Sequence, residues 1–377
     1  MKIYISLACL ALTILAHAQP AETTAKALPD WAIGPFTQAP EPVIKPNPQS
    51  VFHCPIQDKA INWEKSWVYN PAAVARNGKI IVLYRAQQGP GNTCSRVGYA
   101  ESQDGFHFTR DPVPVFYPAN DDQKSFEGNG IEKFGGCEDP RLAESPDGVY
   151  ILTYNQRPGA GPHQGIASSR DLKNWTKHGS VFEGTKWTNA KVKSFAVVHE
   201  VKDGKLVAAK INGSYWLYFG TRAVYVATSQ DFIHWKPVED GHGNLLTVMT
   251  PRNGFFDSVL TEIGPQSILT KKGIVVFYNG KNADQKHEDK IGDSSIPKGM
   301  YCGGQALFDA KDPTHYISRL DTPYIKPSFP WETGGLYKAG TTFTEGLVLF
   351  KDKWFMYFGA SDAFVGVATA PWNSAQE

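Results

Sequence analysis

After residue 18 the sequence has no apolar run approaching the roughly 20 residues that a membrane-spanning helix requires, which excludes a helical membrane protein. Charge of one sign is equally lacking. Lys and Arg number 38 against 37 Asp and Glu, leaving no electrostatic footprint for nucleic acid or an anionic lipid surface. Cysteine is scarce. Cys9 lies in the leader, and Cys54, Cys94, Cys137 and Cys302 show no CxxC spacing, which argues against a structural zinc site and leaves small buried thiols with at most one bridge. His53, His107, His163, His199, His234, His242 and His287 have no metal-ligand spacing either, so no metal and no cofactor is expected. Long amphipathic helical patterns are also missing.

What is present begins with a leader. Lys2, the apolar run Ile3–Leu15 and the small-residue site Ala16-His17-Ala18 have the form of a secretory signal, so residues 1–18 are expected to be removed on export to the periplasm or medium. Residues 19–50, rich in Pro, Ala and Thr, read as an extended arm, and residues 51–377 as the folded domain. Aromatic residues make up 12% of the chain, with ten Trp, a composition shared by sugar-binding clefts and all-β cores.

The folded part repeats itself. "RNGKIIVLYRA", "PDGVYILTYN", "INGSYWLYFG", "KKGIVVFYNG" and "FKDKWFMYFGA" are β-rich runs, each entered through a turn signal. Three of the repeats continue to a tail of one type, "GYAESQDGFHF", "GIASSRDLKNW" and "YVATSQDFIHW". A unit of three or four strands that cannot cover both faces must stack on its neighbours. The spacing predicts an all-β, five-bladed β-propeller with blades beginning near Trp67, Cys137, Lys193, Asp257 and Phe343. A β-sandwich of many short strands is the rival architecture.

The segments opening these repeats carry Asn70, Glu138, Asp139, Arg141, Lys193, Glu262 and Glu345, and in a propeller they converge at one end of the axis. Such a ring suits a neutral, polyhydroxylated ligand, whose hydroxyls need fixed donors and acceptors. Carboxylates on different blades also supply the separated acid and base of an inverting glycosidase. Taken alone, Glu138-Asp139-Pro140-Arg141 serves equally as a turn former with a surface ion pair.

The order of segments "NPAAVARNGKIIVLYRA", "GGCEDPRL", "ASSRDLKNW", "KSFAVV", "RNGFFDSVLTEIGPQSILTKKGIVVFYNG" and "EGLVLF…YFGASDAFVGVA" resembles glycoside hydrolase family 130, the mannoside phosphorylases and mannosidases. The resemblance implies a five-bladed propeller acting on β-mannosides in short oligosaccharides. It makes Asp139 the general acid, acting through a sugar hydroxyl, with Glu138 and Arg141 holding it. Asn70 and Arg85 match its sugar-contacting positions and Asp362 an acidic residue near the end of its last blade; Lys193, Asp257 and Glu345 join them as candidate sugar contacts.

The resemblance also divides by nucleophile. "WLYFGT" and "FYNG" stand where phosphorylases of the family tend to carry basic residues, and Glu262 adds negative charge that repels phosphate. Water is therefore the expected nucleophile, Glu262 its base and Glu200 a substitute for the acidic residue that Thr221 replaces. Lys193 and Arg222 keep phosphorolysis as the alternative, and a non-catalytic glycan-binding propeller is a further one. The charged segment Lys281–Gly299 is a candidate gate over the channel mouth.

Overall fold

Two-residue turns set the strand register. Asn77-Gly78 joins Trp67–Arg76 to Lys79–Gln87 with both residues in the left-handed region, the geometry whose twist matches that of paired strands. Asp203-Gly204 and Asn212-Gly213 repeat it, and Lys351-Asp352 achieves it without glycine. The structure is a computed structural model describing residues 27–128, 135–157, 161–335 and 337–373; the expected leader lies outside them.

The chain is nearly all β, with one four-residue helix, Lys124–Glu127, and a 3-10 turn, Pro330–Glu332, among the described residues. Apart from a two-stranded hairpin, Phe52–Cys54 with Lys59–Ile61, the pairings among the described residues fall into five antiparallel groups whose innermost strands begin at Trp67, Gly135, Phe195, Leu260 and Thr342. Short parallel contacts join the first group to the second, Cys94–Ser95 with Gly135–Gly136, and the third to the fourth, Val198–His199 with Ser267–Ile268. Asn279 and Thr344 tie the fourth to the fifth, the Asn279 amide donating to Thr344 O at 3.0 Å and its oxygen accepting from Thr344 N at 2.7 Å.

The fifth group packs back on the first. Gly346 lies so close to the first innermost strand that a Cβ there would sit 2.9 Å from Pro71 O and 3.0 Å from Ala73 N. The extended arm adds the outer strand of the fifth group, Thr37–Gln38 pairing with Thr369 and Ala368. Gln305 fixes it further, accepting from Ile33 N at 2.9 Å and donating to Ile33 O at 2.7 Å.

A buried triad recurs in three groups. Tyr84, Tyr154 and Tyr278 occupy one position of the second strand, and each hydroxyl donates to a buried carboxylate: Glu64 at 2.7 Å, Glu127 at 2.7 Å and Asp257 at 2.8 Å. Each carboxylate also faces a cation, Arg110, Lys177, or Arg252 with Arg319. Cross-strand glycines Gly98, Gly165 and Gly304 make room for the rings. Burial disfavours a bare carboxylate, so phenol and cation together make these acids tolerable. The acids follow an aromatic residue, as Trp63-Glu64, Phe126-Glu127 and Phe256-Asp257, a repeat not picked out by the strand pattern.

Cys54, Cys94, Cys137 and Cys302 are all buried and none is joined in a disulfide, so the bridge left open by the sequence is not formed.

Candidate active site

The innermost strands are irregular at their entry ends. Pairing shifts at Asn70, between Tyr69 and Pro71, and again between Glu138 and Arg141. Asn70 and Asp139 have φ of 48° and 47°, a left-handed backbone that non-glycine residues adopt at a cost and that collects at functional sites. A third shift, between Thr344 and Gly346, falls at Glu345.

These ends line a cleft of about 650 Å³. Asn70, Arg85, Glu138, Asp139, Lys193, Glu262 and Asp362 all face it. Asp139 is the most heavily held. Its Oδ1 accepts from Asn70 Nδ2 at 2.8 Å and Arg85 Nη1 at 2.9 Å, and its Oδ2 from Asn155 Nδ2 at 3.1 Å. Burial opposes its ionisation, but Arg85, Lys193 and the Asn70 hydrogen bond outweigh it and keep the carboxyl well below the usual carboxylate range.

Arg85 organises this side. Its Nη2 donates to Glu138 at 2.7 Å and its Nε to Ser95 at 2.9 Å, while its guanidinium lies 4.8 Å from the centre of the Tyr69 ring. Burial and the neighbouring Asp139 raise the Glu138 carboxyl, against the pull of Arg85.

Across the cleft, Oε1 of Glu262 accepts from Ser194 Oγ at 2.6 Å and pairs with Lys193 Nζ at 2.7 Å. Both contacts fall on one oxygen. Oε2 has no hydrogen bond among the described residues. Asp362, in a turn with φ of 51°, has neither hydrogen bond nor ion pair among the described residues. Its carboxyl is pushed up to about 6 by burial, with Asp139 and Glu138 adding to the effect and Arg85 and Lys193 opposing it.

Arg141, expected to hold Asp139, pairs instead with the candidate sugar contact Glu345. Arg141 forms a buried ion pair with Glu345 and donates to Gly264 O at 3.0 Å and Ile263 O at 3.1 Å. It thereby ties the strand carrying Asp139 to the break in the strand carrying Glu262. Neither Arg141 nor Glu345 lines the cleft.

Two other expectations are corrected. Asp257 is no sugar contact: it is the fourth group's buried partner of Tyr278, Arg252 and Arg319. Glu200 is no water-activating residue of this cleft. It lies five residues beyond the entry of the strand Phe195–Lys202, roughly 16 Å along it, and borders a separate hollow with Ile268, Thr270 and Trp354.

Among the described cleft residues none comes from positions 282–299 of the charged segment Lys281–Gly299. Asn282 pins this loop by donating to Asp293 O, Ile296 O and Pro297 O. Arg222 borders a different hollow, with Ser258 and His287.

The strand repeat passed over an aromatic wall. Trp67, Tyr301, Tyr337 and Phe343 line the cleft, Tyr301 lying 4.7 Å from Tyr337 and 6.2 Å from Phe343 between ring centres. Arg157, 3.7 Å from Glu138, was missed as well. The diglycine Gly334-Gly335 beside Tyr337 was the available signal for a turn reaching the cleft.

The family model described as beta-1,4-mannooligosaccharide phosphorylase matches residues 39–375. The chain belongs to glycoside hydrolase family 130. Among curated members it is 29% identical to the 1,2-beta-oligomannan phosphorylase of Thermoanaerobacter sp. (strain X514), over 83% of this chain and 93% of that one. It is 28% identical to the beta-1,2-mannobiose phosphorylase of the same organism, over 82% and 92%.

Solved structures are nearer in sequence. A glycosyl hydrolase from Bacteroides ovatus is 46% identical, with a TM-score of 0.86 over 91% of this chain and 95% of that one. Another family 130 structure, at 44% identity and a TM-score of 0.86 over 93% and 99%, is described by the words "The GH130 family of mannoside phosphorylases contains glycoside hydrolases that target beta-1,2 mannosidic linkages in Candida mannan".

Proposed function

We propose that this family 130 chain is an exported five-bladed β-propeller that hydrolyses β-mannosidic bonds, β-1,2-linked, in short manno-oligosaccharides, with inversion. Residues 1–18 are its leader, 19–50 its arm and 51–377 the catalytic domain. Five antiparallel groups, each in contact with the next, the second and third through Ala143 and Ile151 packed with Phe195 and Val197, and the last with the first, support the propeller reading. The sugar lies against the wall of Trp67, Tyr301, Tyr337 and Phe343, with its hydroxyls turned to Asn70, Arg85 and the carboxylates. Asp139 stands beside the reacting sugar and Glu262 activates water.

The observation that carries this reading is the state of the cations. Arg85, Arg157 and Lys193, the three lining the cleft among the described residues, each face a carboxylate. A phosphate dianion needs charge-assisted donors, and here it meets four lining carboxylates instead. The test is to incubate the protein with β-1,2-mannobiose with and without phosphate. Mannose formed at a rate indifferent to phosphate supports hydrolysis; turnover that requires phosphate and yields mannose 1-phosphate overturns it.

Phosphorolysis is the second reading, and the curated relatives favour it: both named above are phosphorylases, matched along most of their length. On that reading Lys193 leaves Glu262 to receive the phosphate.

A further inference from the structure

Tyr337 belongs to a stretch of chain that gives Gly335, Tyr337 and Thr341 to the cleft. Gly334 and Tyr337 are bridged to each other. Gly335, with φ of 59°, comes so close to the turn bearing Asp362 that a Cβ on it would lie 2.2 Å from Ser361 O. Ser361 Oγ donates to Trp331 O at 3.1 Å, and Thr341 N donates to Glu332 O at 2.9 Å. Trp331 and Glu332 therefore set where this side of the cleft stands.

Both residues are held by the extended arm. Gln38 Nε2 donates to Glu332 Oε1 at 2.7 Å, Gln38 Oε1 accepts from Ser328 Oγ at 3.1 Å, and Pro40 O accepts from Trp331 Nε1 at 2.8 Å. Glu332 is fully buried and meets no cation among the described residues. Its Oε2 accepts from Ser328 N at 2.5 Å and Phe329 N at 2.9 Å, which leaves Gln38 as the partner of Oε1. Burial pushes the carboxyl up, and these neutral N–H groups oppose it. Without Gln38 a buried acceptor would lose its donor, a cost that the chain around Glu332 can relieve only by moving.

We infer that Gln38 is a positioning residue of the sugar cleft: acting through Glu332, 294 residues further on, it fixes the stretch that sets Tyr337 against Tyr301. The arm thereby takes part in binding the mannose ring. Aromatic faces bind a sugar only where they are held in place, and a wall left to shift loses that contact. Asp139 and Glu262 stand on other strands, Gly135–Glu144 and Leu260–Ile263, so the loss should fall on KM and spare kcat. The role rests on the proposal that this cleft binds a β-mannoside, and it is the same whether water or phosphate attacks.

Wild type and variants are assayed on β-1,2-mannobiose with and without phosphate, and their denaturant midpoints are measured alongside. Gln38→Leu is expected to raise KM about tenfold with kcat within about threefold, and Gln38→Lys, which keeps a donor for Glu332, to hold KM within about threefold of wild type. Trp331→Phe, a milder change that keeps a ring and removes the bond to Pro40, should raise KM about threefold. Gln305→Leu frees the arm at Ile33 instead, and should lower the midpoint without moving KM. An unchanged KM in Gln38→Leu or in Trp331→Phe overturns the role, as does an equal rise in Gln305→Leu. A wild type that turns over no mannobiose under either condition sinks the sugar-cleft reading, and the role with it.

Discussion

Lys193 Nζ and Oε1 of Glu262 stand 2.7 Å apart, and Ser194 Oγ donates to that same oxygen. One oxygen of this carboxylate is thus fixed, and the other has no hydrogen bond among the described residues. Replacement Glu262→Gln keeps the shape and removes the proton acceptor. Turnover of mannobiose is expected to fall about 10²–10⁴-fold, with KM changed by less than about threefold. Azide, a nucleophile that needs no base, should restore turnover and give the α-mannosyl azide; loss of rate without azide rescue would argue against the role of Glu262.

The acidity of Asp362 predicts a pH dependence of stability. Its carboxyl moves from an ordinary 3.8 to about 6 in the folded protein, so the folded state binds a proton more tightly than the unfolded one. The stability this contributes is fully present below about pH 4 and is lost as pH rises through about 6. Relative to wild type, Asp362→Asn should therefore gain denaturant midpoint between pH 4 and pH 7. A constant offset across that range would contradict the shift.

Asp257 provides the contrast. Asp257→Asn leaves Arg252 and Arg319 facing an uncharged amide in a buried setting, with an expected cost of about 3–5 kcal/mol. Its kcat/KM at a temperature where the variant is folded should stay within about twofold of wild type. A selective rise in KM would return Asp257 to the sugar-binding set.

Arg141 and Glu345 test the floor of the cleft. Arg141→Met strands a buried carboxylate, and an equilibrium unfolding loss of about 3–5 kcal/mol is expected. Adding Glu345→Leu should recover most of that loss. Activity should not return, because Ile263 O and Gly264 O still lack the guanidinium that fixes the approach to Glu262. Recovery of both would reduce the pair to a packing element.

Local chemistry was the legible part of this molecule. Turns such as Asn77-Gly78, the repeated strands and the Asp139 segment announce themselves within a few residues. Asp257 and Asp139 look alike in sequence, each an acid at a strand entry. They part only through what lies opposite, a tyrosine and two arginines for one and two asparagine amides with Arg85 for the other. Glu200 failed because position along a strand decides which end of the molecule a side chain reaches. Trp67 lies more than 200 residues before Tyr301, Tyr337 and Phe343, so the meeting of these rings is a property of the fold and of no single segment.

The pairing of Thr37–Gln38 with Ala368 and Thr369 brings the two ends of the described chain into one layer. Force applied to either end therefore loads the same seam. During synthesis the earliest strand must wait, unpaired, until Phe364–Pro371 has been made, so assembly of that seam tracks the last strand. Shortening the arm past Gln38 would leave the last strand with a bare edge, open to a neighbouring molecule.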